Sequence, residues 1–316
     1  VSFFPQLVAG PIERARNLLP QIKNFNGIVL KGIKPALILM FMGYLKKVVI
    51  SDNIAPLVDE YFLNYAELDS IYLITGLILF SFQIYFDFSG YSDIARGLAK
   101  LLGIDLMINF NQPYFSMNFS EFWKRWHISL SSWLKDYLYI PLGGNKKGKF
   151  RTKINLMTTM LLGGLWHGAS WNFVIWGGLH GIYLIFGKIL NIHNKSGSNA
   201  LLKTIKSILQ ILIVQFLVLL TWLPFRSPDL RTTGAFLERI FFWQGGLNPS
   251  SIGLIALMYF SLIVIDLPAY LTKDHLYLLR LPKWILIVII VVGVIAISLT
   301  MILYQNSVRP FTYFQF

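Results

Sequence analysis

The chain has 316 residues, 55% of them hydrophobic and 16% aromatic, and only 14% carry a charge, against about 25% in soluble domains. This excludes an ordinary soluble globule and predicts an all-α, polytopic membrane protein. The net charge of +13 does not predict nucleic-acid binding, because the basic residues gather at the ends of apolar runs, as membrane topology requires; the lack of cysteine excludes disulfides, thiolate metal sites and a cysteine nucleophile.

The opening residues, S-F-F-P-Q-L-V-A-G-P-I, read as the middle of a longer membrane protein, with earlier helices expected upstream. Ser2 to Asn26 is punctuated by Pro5, Gly10, Pro11 and Pro20 and predicts an interfacial loop with short helical turns. An apolar run from Lys34 to Ile50 ends in Lys46 and Lys47. It is short of the ~20 residues that cross a bilayer, so a tilted or partly embedded helix competes with a clean span. Ile71 to Phe88 predicts a span that leads into Y-F-D-F-S-G-Y-S-D-I-A-R. Asp87 and Asp93 then lie at or just below membrane depth, with Arg96 on the same helix face as Asp93. Either they anchor a re-entrant helix by ion pairing, or they line a cavity that reaches His167.

Phe110 to Ser116 turns at Pro113. The next stretch places Phe119, Phe122, Trp123, Trp126, Leu130, Trp133, Leu134, Tyr137 and Leu138 at steps of three and four, which predicts one amphipathic helix at the membrane interface, with Ser120 as its cap. His127 sits at the edge of the apolar face, as a boundary residue or a functional one. Pro141 to Asn145 ends the helix, and a basic loop follows with Lys146, Lys147, Lys149, Arg151 and Lys153. Such a loop marks the cytoplasmic side and can meet anionic headgroups or a phosphorylated molecule arriving from the cytosol.

Beyond it, Leu161 to Trp176 reads L-L-G-G-L-W-H-G-A-S-W-N-F-V-I-W. A histidine inside so apolar a run is a functional candidate by default, and Gly163, Gly164 and Gly168 predict a close approach or a broken helix around it. His167 is the leading catalytic candidate; the bland alternative is a histidine bonded across a helix pair for packing. Trp166 and Asn172 are candidates for a cavity wall, as is Trp126 beside His127. On an unbroken helix His180 would lie about 220° round from His167, so it reads as a packed or interhelical residue. Asn191 to Lys206 reads as a polar connector, and Ile208 to Phe225, Ile252 to Leu271 and Trp284 to Tyr304 predict three further spans. With the 146–153 loop inside, twelve basic loop residues fall inside and four outside, so the assignment is self-consistent. The tail Pro310 to Phe316 is too short to span and is expected to pack at the outer interface.

The block F-W-K-R-W-H-I-S-L-S-S-W-L-K-D-Y-L-Y-I-P-L-G-G-N (Phe122 to Asn145), followed by L-W-H-G-A-S-W (Leu165 to Trp171), resembles the membrane-bound O-acyltransferase superfamily, specifically the bacterial branch of alginate O-acetylation. F-F-P-Q-L-V-A-G-P-I, Y-F-D-F-S-G-Y-S-D and the terminal Y-F-Q-F resemble the same branch, so the likeness covers essentially the whole chain, which is expected to form a single membrane-embedded domain over 1–316 around a central channel. The resemblance implies acyl transfer from a thioester to a hydroxyl, with the family's invariant histidine at His167 and its second polar position at His127. It also implies no bound cofactor, acetyl-CoA as donor, and a glycan acceptor reached with a periplasmic or extracellular esterase-like partner and the polysaccharide synthesis machinery, all at the bacterial inner membrane. The P-L-G-G-N element favours this branch over the related D-alanine exporters of teichoic acid modification. As general base, His167 must be uncharged, which burial favours. Rival readings are a transporter or channel using Asp87, Asp93, Arg96, His127 and His167, weakened by the missing internal repeat, and a histidine metal site, weakened by ligand spacing.

Overall fold

Long leucine-, isoleucine- and phenylalanine-rich runs form helices because a helix satisfies its own backbone polar groups, as lipid demands. The computed structural model describes residues 3–7, 10–25, 27, 32–187 and 200–303, with no strand among them. Its α-helices are α1 (Ala15–Lys23), α2 (Ile33–Tyr44), α3 (Asp52–Leu63), α4 (Ser70–Leu101), α5 (Phe119–Arg125), α6 (Ile128–Leu134), α7 (Gly148–His167), α8 (Trp171–Phe186), α9 (Ala200–Arg226), α10 (Leu230–Phe241), α11 (Pro249–Thr272) and α12 (Lys283–Leu303). Four of them, α4, α9, α11 and α12, are long and apolar enough to cross a membrane, and the protein is a multi-pass, all-α membrane protein. The apolar stretch of α4 is 83% buried whereas that of α12 is only 11% buried, so α4 is an interior helix and α12 presents its leucine, isoleucine and valine side chains outward.

The chain divides into two compact units: residues 1–60, 79–110 and 253–316 form one, residues 61–78 and 111–252 the other. In the first unit α2 crosses α4 backbone to backbone. A Cβ on Gly43 would lie 2.6 Å from the Gly90 carbonyl oxygen, and one on Gly97 would lie 2.7 Å from that of Ala36. Small residues at such a crossing are how helices pack where no water drives them together.

Lys46 and Lys47 do not end the α2 run as the sequence predicts. They sit inside a π-helical stretch, Leu45–Ser51, that continues into α3. Lys46 Nζ is 2.7 Å from Asp93 Oδ2, Arg96 Nη1 is 3.1 Å from Asp93 Oδ1, and Lys47 Nζ bridges Asp87 at 2.6 Å and Asp52 at 2.8 Å. Tyr85 donates to Asp266 Oδ2 at 2.5 Å in the same unit. Each buried carboxylate thus has its countercharge or donor, which a low-dielectric interior requires.

In the second unit the predicted single helix over 119–138 is broken. Asn118, not Ser120, caps α5: its Oδ1 accepts from the Glu121 N–H at 2.9 Å, and Glu121 Oε2 accepts in return from the Met117 N–H at 2.9 Å. The helix stops at Arg125, Trp126 turns extended, and His127 adopts φ +40°, ψ +56° before α6 begins. A 3.6-residue period persists across such a break because both short helices bury one face, so periodicity alone does not reveal it. A second π-helical stretch, Lys135–Tyr139, follows α6.

α7 and α8 form a hairpin closed by Gly164 and Gly177. A Cβ on Gly164 would collide with the Phe173 carbonyl oxygen, and one on Gly177 with that of Met160. Backbone cannot yield as a side chain can, so Gly164→Ala is expected to destabilise the protein by about 1–3 kcal/mol or more. Thermal unfolding in detergent should show it as a clear drop in midpoint; an unchanged midpoint would refute the close-packed hairpin.

The predicted spans at 208–225, 252–271 and 284–304 correspond to α9, α11 and α12. The connector expected to run to Lys206 is helical from Ala200 onward, where α9 begins; its earlier part, and the tail from Pro310, lie outside the described residues.

Candidate active site

The second unit gathers aromatic rings and histidines from four places. The last residue of α7 is His167, where the helix breaks as predicted; Gly168 to Ser170 turn the chain, and the Ser170 hydroxyl caps α8 by accepting from the Asn172 N–H at 3.3 Å. Along α8, Phe173, Trp176, His180 and Tyr183 follow at steps of three and four and so share a face. Thr221, Trp222 and Phe225 come from α9, and Phe122, Trp123, Trp126 and His127 come from α5 and the break behind it.

His167 is ringed edge-on by Trp166, Trp176 and Phe225 at centroid distances of 5.1, 5.0 and 5.2 Å. Trp126 stacks on Phe122 and meets Trp222 at 5.0 Å, and Trp222 in turn meets Trp176 and Phe225. A continuous aromatic wall therefore joins the neighbourhood of His127 to that of His167. His127 is 3% exposed. Its position outside the four spans is nonetheless apolar, and burial pushes its imidazole down to about 3, with the nearby His167 as the second cause. His127 is therefore neutral at any physiological pH.

The consequence for stability has a definite sign. Unfolded, this imidazole takes up a proton as pH falls through about 6.5. Folded, it refuses the proton until about 3, so stability is flat above pH 6.5 and falls below it, by up to about 1.4 kcal/mol per pH unit for this one group. Melting midpoints recorded from pH 7.5 to 4.5 should decline on the acid side, and less steeply in His127→Gln. A midpoint that rises on acidification would contradict the burial of a neutral ring.

The other predicted positions divide between the units. Asn172 is 2% exposed; its Nδ2 donates to the Ser227 carbonyl at 2.6 Å, leaving Oδ1 as a buried acceptor with no bonding partner. Trp126 is buried within the wall, while Trp166 is 54% exposed and touches His167 from outside. Asp87, Asp93 and Arg96 belong to the first unit, where Lys47 engages Asp87 and both Lys46 and Arg96 engage Asp93. His180 is interhelical as predicted: it is fully buried and its Nε2 lies 3.1 Å from Thr221 Oγ1 on α9. The reading that sets it apart from His167 fails, because the 220° separation assumes an unbroken helix. The turn at 168–170 folds α8 back, and both imidazoles flank Trp176, at 5.0 and 4.8 Å. Trp176, Trp222 and Phe225 were missed; the i, i+4 spacing of Trp176 and His180 was the available signal.

The arrangement offers two imidazoles in a largely water-poor aromatic setting, suited to moving a proton from a weakly acidic group such as an alcohol. Ahead of α7, Gly143 and Gly144 make left-handed turns at φ +110° and +54°, and Asn155 Nδ2 ties the Gly144 carbonyl to α7 at 2.9 Å.

A family model for membrane-bound O-acyltransferases matches residues 1–193. The chain is 46% identical over 231 residues to a probable alginate O-acetylase of Azotobacter vinelandii, covering 73% of this chain and 44% of that protein. It is 44% identical over 237 residues to a peptidoglycan O-acetyltransferase of Helicobacter pylori, covering 73% and 44%. A more distant likeness, 30% over 196 residues, covering 58% and 47%, links it to a teichoic acid D-alanyltransferase of Streptococcus thermophilus. The chain spans about half the length of the curated relatives it matches.

Proposed function

The chain belongs to the membrane-bound O-acyltransferase family, and from that premise we propose that it carries the reaction centre for transfer of an acetyl group from a cytosolic thioester, acetyl-CoA, to a hydroxyl of an exopolysaccharide or cell-wall glycan. The observation that carries this reading is that His167 lies near enough to His127 to act on its charge, with an aromatic wall running from Trp126, next to His127 in the chain, to His167. In the proposed step His167 takes the proton of the acceptor hydroxyl as its oxygen attacks the thioester carbonyl. The tetrahedral intermediate collapses with cleavage of the C–S bond, and the proton passes from the imidazolium to the departing thiolate. His127, neutral and able to donate one hydrogen bond, orients the acyl carbonyl or the acceptor. Trp126 and Asn172 wall the space in which the reactants meet. The basic stretch read from the sequence as a loop is a turn at Lys146 and Lys147 followed by the first turns of α7, and its exposed Lys146, Lys147, Lys149, Arg151 and Lys153 suit the phosphates of the donor on the cytosolic side of the inner membrane. Relatives named for alginate and for peptidoglycan support a glycan acceptor, with an esterase-like partner carrying the acetyl group onward.

The test is made on the whole protein reconstituted in vesicles. Acetyl-CoA supplied on the cytosolic side should release free thiol and yield an O-acetyl ester on an alginate or peptidoglycan fragment, with the esterase-like partner present. Ester formation only from a D-alanyl thioester would move the assignment to teichoic acid modification. Substrate flux with no thioester cleavage would replace the enzyme reading with a transporter.

A further inference from the structure

Three polar atoms in the second unit are buried without a bonding partner and sit on rings in mutual contact: Nδ1 of His180 and the indole Nε1 atoms of Trp123 and Trp176. The rings of Trp123 and Trp176 lie 5.1 and 4.8 Å from that of His180 and 5.8 Å from each other, and the three residues are 8%, 2% and 0% exposed for Trp123, Trp176 and His180. Buried polar atoms left unmatched are disfavoured, so a cluster of three calls for an explanation.

The hydrogen-bond inventory fixes what each atom offers. Thr221 has one hydroxyl proton and donates it to the Val218 carbonyl at 2.6 Å. Its 3.1 Å contact with His180 Nε2 must therefore run from the ring N–H to the hydroxyl oxygen. His180 is thereby held as the Nε2–H tautomer, and Nδ1 is left as a bare lone pair. Each indole can only donate. The cluster presents two donors and one acceptor, the complement of a single hydroxylic oxygen, which accepts two hydrogen bonds and gives one. A carbonyl oxygen has no proton for Nδ1, and an ammonium group cannot accept from the indoles.

We propose that His180, Trp123 and Trp176 form a binding site for one hydroxylic oxygen, a water or an alcohol hydroxyl. Because Trp176 touches both imidazoles, an oxygen held there fixes the ring that packs against His167, which makes His180 a positioning residue. The proposal rests on the unmatched atoms and on the contacts between their rings, so it survives or fails whether or not acyl transfer is the reaction.

Nitrogen NMR of the whole protein with 15N-labelled histidine, in nanodiscs, tests it. The His180 signals are identified by their loss in His180→Gln. The expected pattern is a protonated Nε2 and an Nδ1 shielded as a hydrogen-bond acceptor, with that shielding lost in Trp123→Phe/Trp176→Phe. Trp176→Phe alone, checked for folding by its helical circular dichroism, serves if the double variant does not fold. Shielding in the resting protein assigns the oxygen to water; shielding that appears only with methyl β-glucopyranoside assigns it to an alcohol. A free lone pair under both conditions, or shielding unaltered by removal of the indole donors, overturns the proposal.

Discussion

Replacement of His167 by alanine is expected to lower acyl transfer by about 10²–10⁴-fold, the range that a positioned general base supplies, while leaving the protein folded. The loss should fall on the rate at saturating donor and acceptor more than on the apparent affinity for either, since the imidazole acts on a proton in flight. The fold should tolerate the change because His167 is the last residue of α7 and its ring lies at the margin of the aromatic wall. The hairpin is closed by Gly164 and Gly177 and not by this side chain. Initial rates of ester formation, with helical content measured on the same preparation, provide the check. A variant that retains the parental rate would remove His167 from the mechanism.

The largest effect on stability is expected at Asp93. Its carboxylate lies between Lys46 and Arg96 at 2.7 and 3.1 Å, with the first two side chains about nine-tenths buried. Asp93→Ala strands two cations in a low-dielectric interior, and breaking one side of such a pair typically costs about 3–5 kcal/mol. The companion variant Lys46→Met/Asp93→Leu removes both partners of the closer pair and should recover part of the loss, as apolar replacements of buried ion pairs commonly do, with Arg96 still lacking its carboxylate. Unfolding midpoints of the three proteins in one detergent give the comparison. If the single variant melts with the parent, the triad is dispensable to the fold, and a role for it beyond packing would have to be sought.

Much of this was legible in the sequence because membranes impose length and hydropathy so strictly. α11 and α12 could be placed within a few residues, α9 at its C-terminal end only, because its first turns are polar and read as a connector, and the break at His167 followed from glycines around a titratable residue in an apolar run. Two kinds of feature were not legible. One is backbone that departs from the helix without changing the hydrophobic period: across the turn at Trp126 and His127, Phe119, Phe122, Trp123, Trp126, Leu130 and Leu134 all stay buried. The π-helical stretch after Tyr44 likewise carries Lys46 and Lys47 past the point where charge would end a helix, because their partners, Asp93 and Asp87, are some forty residues away in the chain. The other is pairing across a turn. Trp176 is an unremarkable apolar residue until α8 folds back on α7, and only then does it separate His167 from His180.

His127 bears on why a histidine stands there at all. Its backbone occupies a left-handed region, which an L-residue with a full side chain enters at a penalty and which glycine or asparagine enters readily. Folding alone would select one of those smaller residues for this corner. Keeping an imidazole there sacrifices some conformational ease, and in exchange the corner between the two short helices carries a group that can both give and take a proton.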